Sequence, residues 1–133
     1  MALKYSLELR RNLSKGAAEG SLLYYGRVKY THRVTFDNLC EQIADSSTAT
    51  KGDVQVALNG LISQLKFHLA NGAIVEMGEL GNFRLNCGST GANLAEEFRT
   101  TQFKRAKVIF APGKVLRELC DAPKFERITE DDE

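Results

Sequence analysis

The residue types that usually carry catalysis are sparse and scattered in this sequence. Its only two histidines are His32 and His68, and no serine or cysteine motif beside them would form a nucleophile and base pair. Its three cysteines, Cys40, Cys87 and Cys120, lack the paired spacing of a zinc site or a disulfide framework. The phosphate-loop pattern Gly-x-x-x-x-Gly-Lys-Ser/Thr is also absent. We therefore expect no enzyme, no metal, no cofactor and no small-molecule substrate.

Lysines and arginines are segregated along the chain, although its net charge is only +1. Residues 1 to 33 carry seven bases against two acids, and residues 82 to 120 carry seven against three. Residues 34 to 81 and 121 to 133 are acidic, each with two bases against six acids. Binding a phosphate backbone requires clustered bases rather than a high net charge. The two basic regions therefore indicate a nucleic-acid partner, while the low net charge indicates weak binding.

Two amphipathic helices are predicted in the acidic region between the basic ones. Thr35 can cap the first helix, whose apolar residues recur at the spacing of one helical face: Phe36, Leu39, Cys40, Ile43 and Ala44. Thr50 and Asp53 are spaced as a capping box for a longer helix, which Asn71-Gly72 ends. The apolar stripe of this second helix comprises Val54, Leu58, Leu61, Ile62, Leu65 and Leu69.

Strands are predicted at Ala73 to Met77, Phe83 to Leu85 and Arg105 to Phe110, and Pro112-Gly113 begins a last short helix. The polar stretch between the second and third strands is too long for a tight hairpin. Its turn residues, from Gly88 to Asn93, predict the bend of a protruding two-stranded arm. Bases in the third strand have two interpretations: they contact phosphate, or they only discourage aggregation at an exposed strand edge.

The N-terminal residues alternate in the pattern of half-buried strands. Tyr5, Leu7 and Leu9 share one face of the first strand, and a second strand runs from Leu22 to Tyr30. The loop between them, from Asn12 to Ser21, is too long for a two-residue hairpin turn.

Two motifs carry a family resemblance. They are Gly78-Glu79-Leu80-Gly81-Asn82-Phe83 and Phe110-Ala111-Pro112-Gly113-Lys114-Val115-Leu116, and they follow a helix start at Thr50-Lys51-Gly52-Asp53. In this order they resemble the HU and integration host factor family of bacterial chromosome-associated proteins, which wrap and bend DNA. The extension over residues 1 to 33 and a shortened arm with Glu96-Glu97-Phe98 resemble an extended HU-related branch.

The resemblance implies an α+β HU-like (IHF-like) fold in an intertwined dimer. This fold has two N-terminal amphipathic helices, an antiparallel sheet with a protruding β-arm and a short C-terminal helix. Here it would be accompanied by the extra N-terminal strands. The expected domains are the strand extension (1–33), the HU-like DNA-binding domain (34–120) and the acidic tail (121–133). We expect the extension to pack on the core as added strands, or to swap onto a partner subunit.

A small core also predicts a homodimer. About 87 residues, from 34 to 120, cannot by themselves cover the wide apolar stripe of the second helix, and small cores usually recruit a partner. The expected interface comprises Leu58, Ile62, Leu65, Phe83 and Phe110.

The basic regions and the resemblance together predict binding to double-stranded DNA with low sequence specificity, in an architectural, nucleoid-associated role. A dimer would bind the phosphate backbone and minor groove through its basic β-arm. The residues expected to contact DNA are Arg84, Arg99, Lys104, Arg105, Lys107 and Lys114, with Arg10, Arg11 and Lys15 in the extension. The apolar runs are short and the N-terminus lacks the hydrophobic region of a signal peptide. We therefore expect no membrane association and a cytoplasmic location at the nucleoid.

The arm departs from the family pattern. Ordinary HU-like proteins carry Arg-Asn-Pro at the tip, where the proline wedges between base steps, but this chain has no proline between residues 83 and 112. Leu94 and Phe98 are candidate wedges, although Glu96 and Glu97 would repel phosphate. Alternatively, Phe98 and Phe103 pack against the sheet or the partner subunit. The missing proline predicts weak bending of DNA. It also favours an alternative function, an HU-fold protein-interaction or assembly module with weak or no DNA binding.

Overall fold

A computed structural model describes residues 1–129 of the chain; residues 130–133, the end of the predicted acidic tail, lie outside the described residues. The chain forms two compact units. The first combines Met1–Thr35 with the segment from Ala122 onward, and the second is Phe36–Asp121. The second unit is therefore an insertion between two segments of the first.

The mixed α+β structure has three α-helices and six strands within residues 1–129. In chain order they are β1 (Leu3–Arg11), β2 (Leu22–Lys29), α1 (Phe36–Asp45), α2 (Lys51–Ala70), β3 (Val75–Glu76), β4 (Gly81–Asn86), β5 (Lys107–Pro112), α3 (Lys114–Asp121) and β6 (Phe125–Arg127).

The first unit contains a three-stranded sheet, the N-terminal sheet, in the order β2-β1-β6. β1 and β2 are antiparallel with Lys4 opposite Lys29, and β6 lies parallel to β1 with Leu3 opposite Phe125. Contrary to the sequence-based expectation, these strands do not add to the sheet of the second unit. The sequence did not predict β6 either, because a three-residue strand with two charged residues has too little alternation to be recognised.

The helices of the second unit begin and end at local signals. The Thr50 hydroxyl accepts a hydrogen bond from the Asp53 backbone N–H (3.1 Å), and the Asp53 carboxylate accepts one from the Thr50 N–H (3.2 Å). At the other end of α2, the Asn71 side-chain amide donates to the Phe67 carbonyl (2.9 Å), and Gly72 takes a positive φ of 81°. These bonds satisfy backbone groups that a helix terminus leaves unpaired. The predicted boundaries of α2 are therefore confirmed.

The two glycine-containing motifs meet in the sheet β3-β4-β5, where Gly81 lies opposite Pro112 and Phe83 opposite Phe110. Gly81 has φ 131°, and a side chain there would collide with the Ala111 carbonyl oxygen. The Gly113 N–H donates to the Leu80 carbonyl (2.9 Å), and a Cβ at this second glycine would also collide with backbone. Only glycine permits backbones to approach so closely. The two motifs therefore join the start of β4 to the end of β5, immediately before α3 begins.

The arm segment, residues 87–106, differs from the prediction. The ladder between β4 and β5 ends at Asn86 and Lys107, and only one bridge, Ser89 to Phe103, continues it among these residues. The chain then folds into two 3-10 turns, at Ala95–Glu97 and Thr100–Gln102. Regular strand pairing of the predicted arm therefore ends at Asn86 and Lys107 apart from this bridge, and the chain reverses direction between Thr90 and Gln102 rather than at Gly88 to Asn93. Backbone hydrogen bonds from Lys104 to Gly88 and from Thr90 to Gln102 hold the base of this segment. Side-chain hydrogen bonds from Gln102 to the Gly91 carbonyl and Thr90 hydroxyl support the turns.

Few side chains are buried. The buried apolar ones within the described residues are Cys40, Val54 and Leu69, while Ile62 and Phe110 remain 57% and 41% exposed. The chain exposes 11493 Å², whereas two separate compact units of this combined size would expose about 8,000 Å². Much apolar surface is therefore available for packing.

Candidate nucleic-acid interface

The sheet β3-β4-β5 has one apolar and one polar face. Phe83, Leu85 and Val108 line a groove with residues of α2, so their side chains lie on the helix side. Because neighbouring residues of a strand point to opposite faces, Arg84 and Lys107 lie on the face away from α2. The register makes them diagonal neighbours, with backbones about 7–8 Å apart.

Two further bases lie where the arm segment leaves this sheet. The Lys104 backbone N–H donates to the Gly88 carbonyl (2.7 Å), and the Cys87 thiol donates to the Lys104 carbonyl (2.6 Å). These bonds hold residue 104 beside the end of β4. Arg105 follows it, outside β5, although the sequence predicted this residue within the strand.

Together these residues form the basic patch, defined as Arg84, Lys104, Arg105 and Lys107. All four are exposed. None makes an ion pair with a carboxylate of residues 1–129. Their charges are therefore free to meet a phosphate backbone.

Arg99 is held within the arm segment. Its guanidinium donates to the carbonyls of Glu96 (2.7 Å) and Phe98 (3.2 Å), and its backbone N–H donates to the Gln102 side chain (2.9 Å). Phe98 packs edge-on against Phe103, with ring centroids 5.3 Å apart. The Arg99 guanidinium is therefore held by carbonyls of the arm segment, in which Glu96 and Glu97 are exposed.

Lys114 is the first residue of α3, where the partial positive charge of a helix N-terminus favours anions. Arg117, one turn later, is exposed on the same helix and lines a surface groove with Gly81, Asn82 and Gly113. Arg117 is not among the residues that the sequence predicts to contact DNA. Its spacing of three from Lys114, which places both on one helical face, is the signal that could have identified it.

The bases of the N-terminal sheet are largely paired. Glu8 forms ion pairs with Arg10 (2.8 Å), Arg27 (3.1 Å) and Lys29 (4.0 Å), and Lys4 pairs with Glu126 (2.7 Å). The hydrogen bond from Arg10, with further help from Arg27, lowers the pKa of the Glu8 carboxyl.

The three predicted contacts of the extension are not brought together. Arg10 is paired with Glu8, Arg11 points to the other face of β1, and Lys15 lies in the loop before β2. This set has no common surface comparable to the basic patch.

Three of the five predicted interface residues line the apolar groove of the second unit. Ile62, Leu65 and Phe83 line this groove, which has a volume of about 420 Å³. The Phe110 ring packs on Phe83, with centroids 4.9 Å apart, while Leu58 is half-buried on α2.

Residues 1–129 lack the features of a membrane span and of a metal site. No helix there is long and apolar enough to cross a membrane. This part of the chain also contains no group of three or more histidine, cysteine or acidic side chains arranged to hold a metal ion.

The second unit has the arrangement of an HU-like protein. Two helices lie next to a small sheet, and two glycine motifs bring the backbones of β4 and β5 close together. The family model described as HU domain fused to wHTH, Ig, or glycine-rich motif (HU-HIG) matches residues 1–127. The chain therefore belongs to this HU-related family.

A similar fold occurs in the crystal structure of a candidate bacterial DNA-binding protein from Bacteroides vulgatus ATCC 8482. The TM-score is 0.63 at 12% sequence identity, and the match covers 96% of this chain. It covers 48% of the other chain, so this protein spans about half the length of that relative. No curated protein matches the sequence.

Proposed function

We propose that this protein binds double-stranded DNA with low sequence specificity, as an architectural protein of the nucleoid in the cytoplasm. The observation that carries the proposal is the basic patch in a chain of the HU-HIG family. Its four bases are exposed and free of ion pairs with the described carboxylates. Phosphate contacts position a protein on DNA without reading its sequence.

The proposed contact extends beyond the patch. Lys114 and Arg117 of α3 add two exposed bases at a helix start that favours anions. Arg99 is a secondary contact, since one nitrogen of its guanidinium is already engaged by two carbonyls. The paired Arg10 contributes less than Arg11 and Lys15 of the same extension.

The proposed active form is a homodimer joined through α2 and the sheet β3-β4-β5. The apolar groove beside Ile62 and Phe83 supports this form, as does the large exposed surface of the single chain. Apolar surface of this kind is removed from water when a second subunit covers it. Two subunits would also present two basic patches to one DNA duplex.

The second candidate function is a protein-interaction or assembly module that has weak or no affinity for DNA. The arm segment favours it, because Glu96 and Glu97 are exposed while Arg99 is bound to backbone carbonyls. Such a tip would repel phosphate rather than grip it.

Mobility shift of the purified protein on a short duplex, across a salt series, decides between the two functions. The proposed DNA-binding function predicts shifted duplex whose affinity falls linearly, on logarithmic scales, as salt rises. Several unrelated duplex sequences should give similar affinities. No shift even at low salt would leave the assembly function as the better account.

A further inference from the structure

The N-terminal sheet has an apolar face, defined by alternate residues of its three strands. β1 places Leu7 opposite Gly26, and the ring of Tyr5 meets that of Phe125 with centroids 6.2 Å apart. Since alternate residues of a strand point to one side, the apolar face comprises Leu3, Tyr5, Leu7, Leu9, Leu22, Tyr24, Val28 and Phe125. Arg11 and Arg127 lie on the same side, each as the last residue of its strand, so they border the apolar face rather than interrupt it.

The opposite face suits water. It carries Glu8 with its ion-paired partners Arg10, Arg27 and Lys29, and the pair of Lys4 with Glu126. Leu23 and Tyr25 of β2 lie among these charges. A sheet with one charged and one apolar face buries the apolar one against a second layer. Three strands alone are at the limit of independent stability. The fold therefore calls for a layer over the apolar face.

The apolar face is large enough to form a stable interface. Tyr24 is 70% exposed, Phe125 59% and Leu22 55%, and the other leucines of this face are 38–50% exposed. These fractions correspond to about 700 Å² of exposed surface per copy, so complete contact between two copies would bury about 1,400 Å², within the range of specific interfaces.

The face also carries a projection and a recess. Tyr24 projects from β2, and two residues further along the absent side chain of Gly26 leaves a notch between Tyr5, Val28 and Phe125. The notch has a volume of about 330 Å³. A two-fold interface brings the same patch of both subunits together, so it requires a projection and a recess on one surface. This face has both.

We propose that two copies of the chain pack their apolar faces together as a two-layered β-sandwich, with Tyr24 of each copy in the notch of the other. The sheets of such sandwiches pack about 10 Å apart with interdigitated side chains. This interface is additional to the proposed dimer contact of α2, and it requires no DNA. Its test is therefore independent of DNA binding.

Cross-linking through an introduced thiol tests the sandwich in the full chain. Leu7→Cys places a thiol in the middle of the apolar face, and Ser6→Cys places one next to it on the charged face. Both variants also carry Cys87→Ser and Cys120→Ser, while the fully buried Cys40 is retained. Under mild oxidation, we expect Leu7→Cys to form an interchain disulfide at least ten-fold more than Ser6→Cys.

Neighbouring leucines of β2 supply a matched pair for the same assay. Leu22 lies on the apolar face and Leu23 on the charged face, and they are 55% and 41% exposed. Added to the Leu7→Cys protein, Leu22→Lys should reduce cross-linking at least ten-fold, whereas Leu23→Lys should leave it within two-fold.

Filling the notch gives a variant that keeps the fold. A Cβ at Gly26 would meet only the Tyr5 ring, at an ordinary 3.8 Å, so Gly26→Val fits the strand. Gly26→Val should weaken cross-linking while the far-ultraviolet circular dichroism stays unchanged.

Two results would overturn the sandwich. Equal cross-linking of Leu7→Cys and Ser6→Cys would indicate random collision. No cross-link in Leu7→Cys, with its thiol also protected from alkylation at every protein concentration, would show that the chain covers this face by itself.

Discussion

The two units of this chain hold their basic residues in different ways. In the N-terminal sheet, one carboxylate, that of Glu8, pairs with three bases across two strands. In the second unit, the four members of the basic patch make no ion pair with a described carboxylate. The numbers of bases in the two sequence regions are equal, yet their charges are engaged differently. A count of bases therefore does not identify a phosphate-binding surface.

The difference between paired and unpaired bases affects the affinity for DNA. An arginine that is already paired must lose its partner, or share it, before it meets a phosphate. The attraction it offers to DNA is reduced accordingly. The contrast between the two units therefore predicts where DNA binding resides, and variants in each unit can test it.

The largest expected effect concerns the apolar groove of the second unit. We expect Ile62→Asp, or Leu58→Asp, to abolish both dimer and cooperative folding, because burying an unpaired carboxylate costs several kcal/mol, comparable to total stability. Val56→Asp is the control, since this residue of the same helix is 74% exposed and lies away from the groove. Sedimentation velocity and thermal unfolding measure both effects. A well-folded wild-type monomer at micromolar concentration would contradict the proposed dimer.

The second prediction compares the bases of the two units directly. Changing Lys104, Arg105 and Lys107 together to alanine should flatten the dependence of log affinity on log salt by about 2 to 3 units, at roughly 0.9 per lost contact. The matched triple variant changes the paired bases Arg10, Arg27 and Lys29 to alanine.

For the matched variant we expect a change in slope of less than about 0.9, below one phosphate contact. Titration of a fluorescent duplex at several salt concentrations gives both slopes. Unchanged binding in the first variant and a loss in the second would reverse the comparison and place the DNA site in the N-terminal sheet.

The third prediction concerns the arm segment within the second unit. This protein should bend DNA less than an ordinary HU protein does, because its arm lacks a proline and its Arg99 is held by two carbonyls. Ligase-mediated circularisation of short duplexes, at equal occupancy, should give fewer circles. Leu94→Ala should change the yield little. Circularisation equal to that of ordinary HU would show that another side chain of the arm acts as the wedge.

The smallest expected effect is a response of the N-terminal sheet to acid. Its ion pairs lower the pKa of Glu8 from the ordinary value of 4.5, so their stabilisation is present above that pH and is lost as the pH falls through the lowered value. Amide hydrogen exchange in β1 and β2 should therefore accelerate in this acid range. Glu8→Gln should exchange faster at neutral pH and lose this part of the pH dependence. An identical acid response in wild type and variant would assign it to other groups.

Local signals made much of the second unit predictable. Thr50 and Asp53 specify the start of α2 through hydrogen bonds three residues apart, which depend on sequence spacing alone. The motif glycines were also informative, although the reason for Gly81 and Gly113 is the close approach of two backbones. The residues in contact are about 30 positions apart in the sequence, so the contact can be identified only from the structure.

The features that the sequence did not reveal depend on distant pairing or on side-chain geometry. β6 is a strand because it pairs with β1, where Phe125 lies opposite Leu3, a residue far away in the sequence. The arm segment folds into turns because Gln102 reaches the carbonyl of Gly91. The pairing of Glu8 with Arg27 likewise requires the strand register. Composition and periodicity contain none of this information.

The order of the strands in the N-terminal sheet also has a kinetic consequence. Its third strand, β6, follows the whole second unit in the chain, so a ribosome must finish that unit before this sheet can be completed. Contacts across such a sequence separation form slowly, because a long loop must close first. During synthesis, β1 and β2 therefore remain a two-stranded hairpin, in which β1 has no partner on the side that β6 later occupies. The helices of the inserted unit can fold in the meantime.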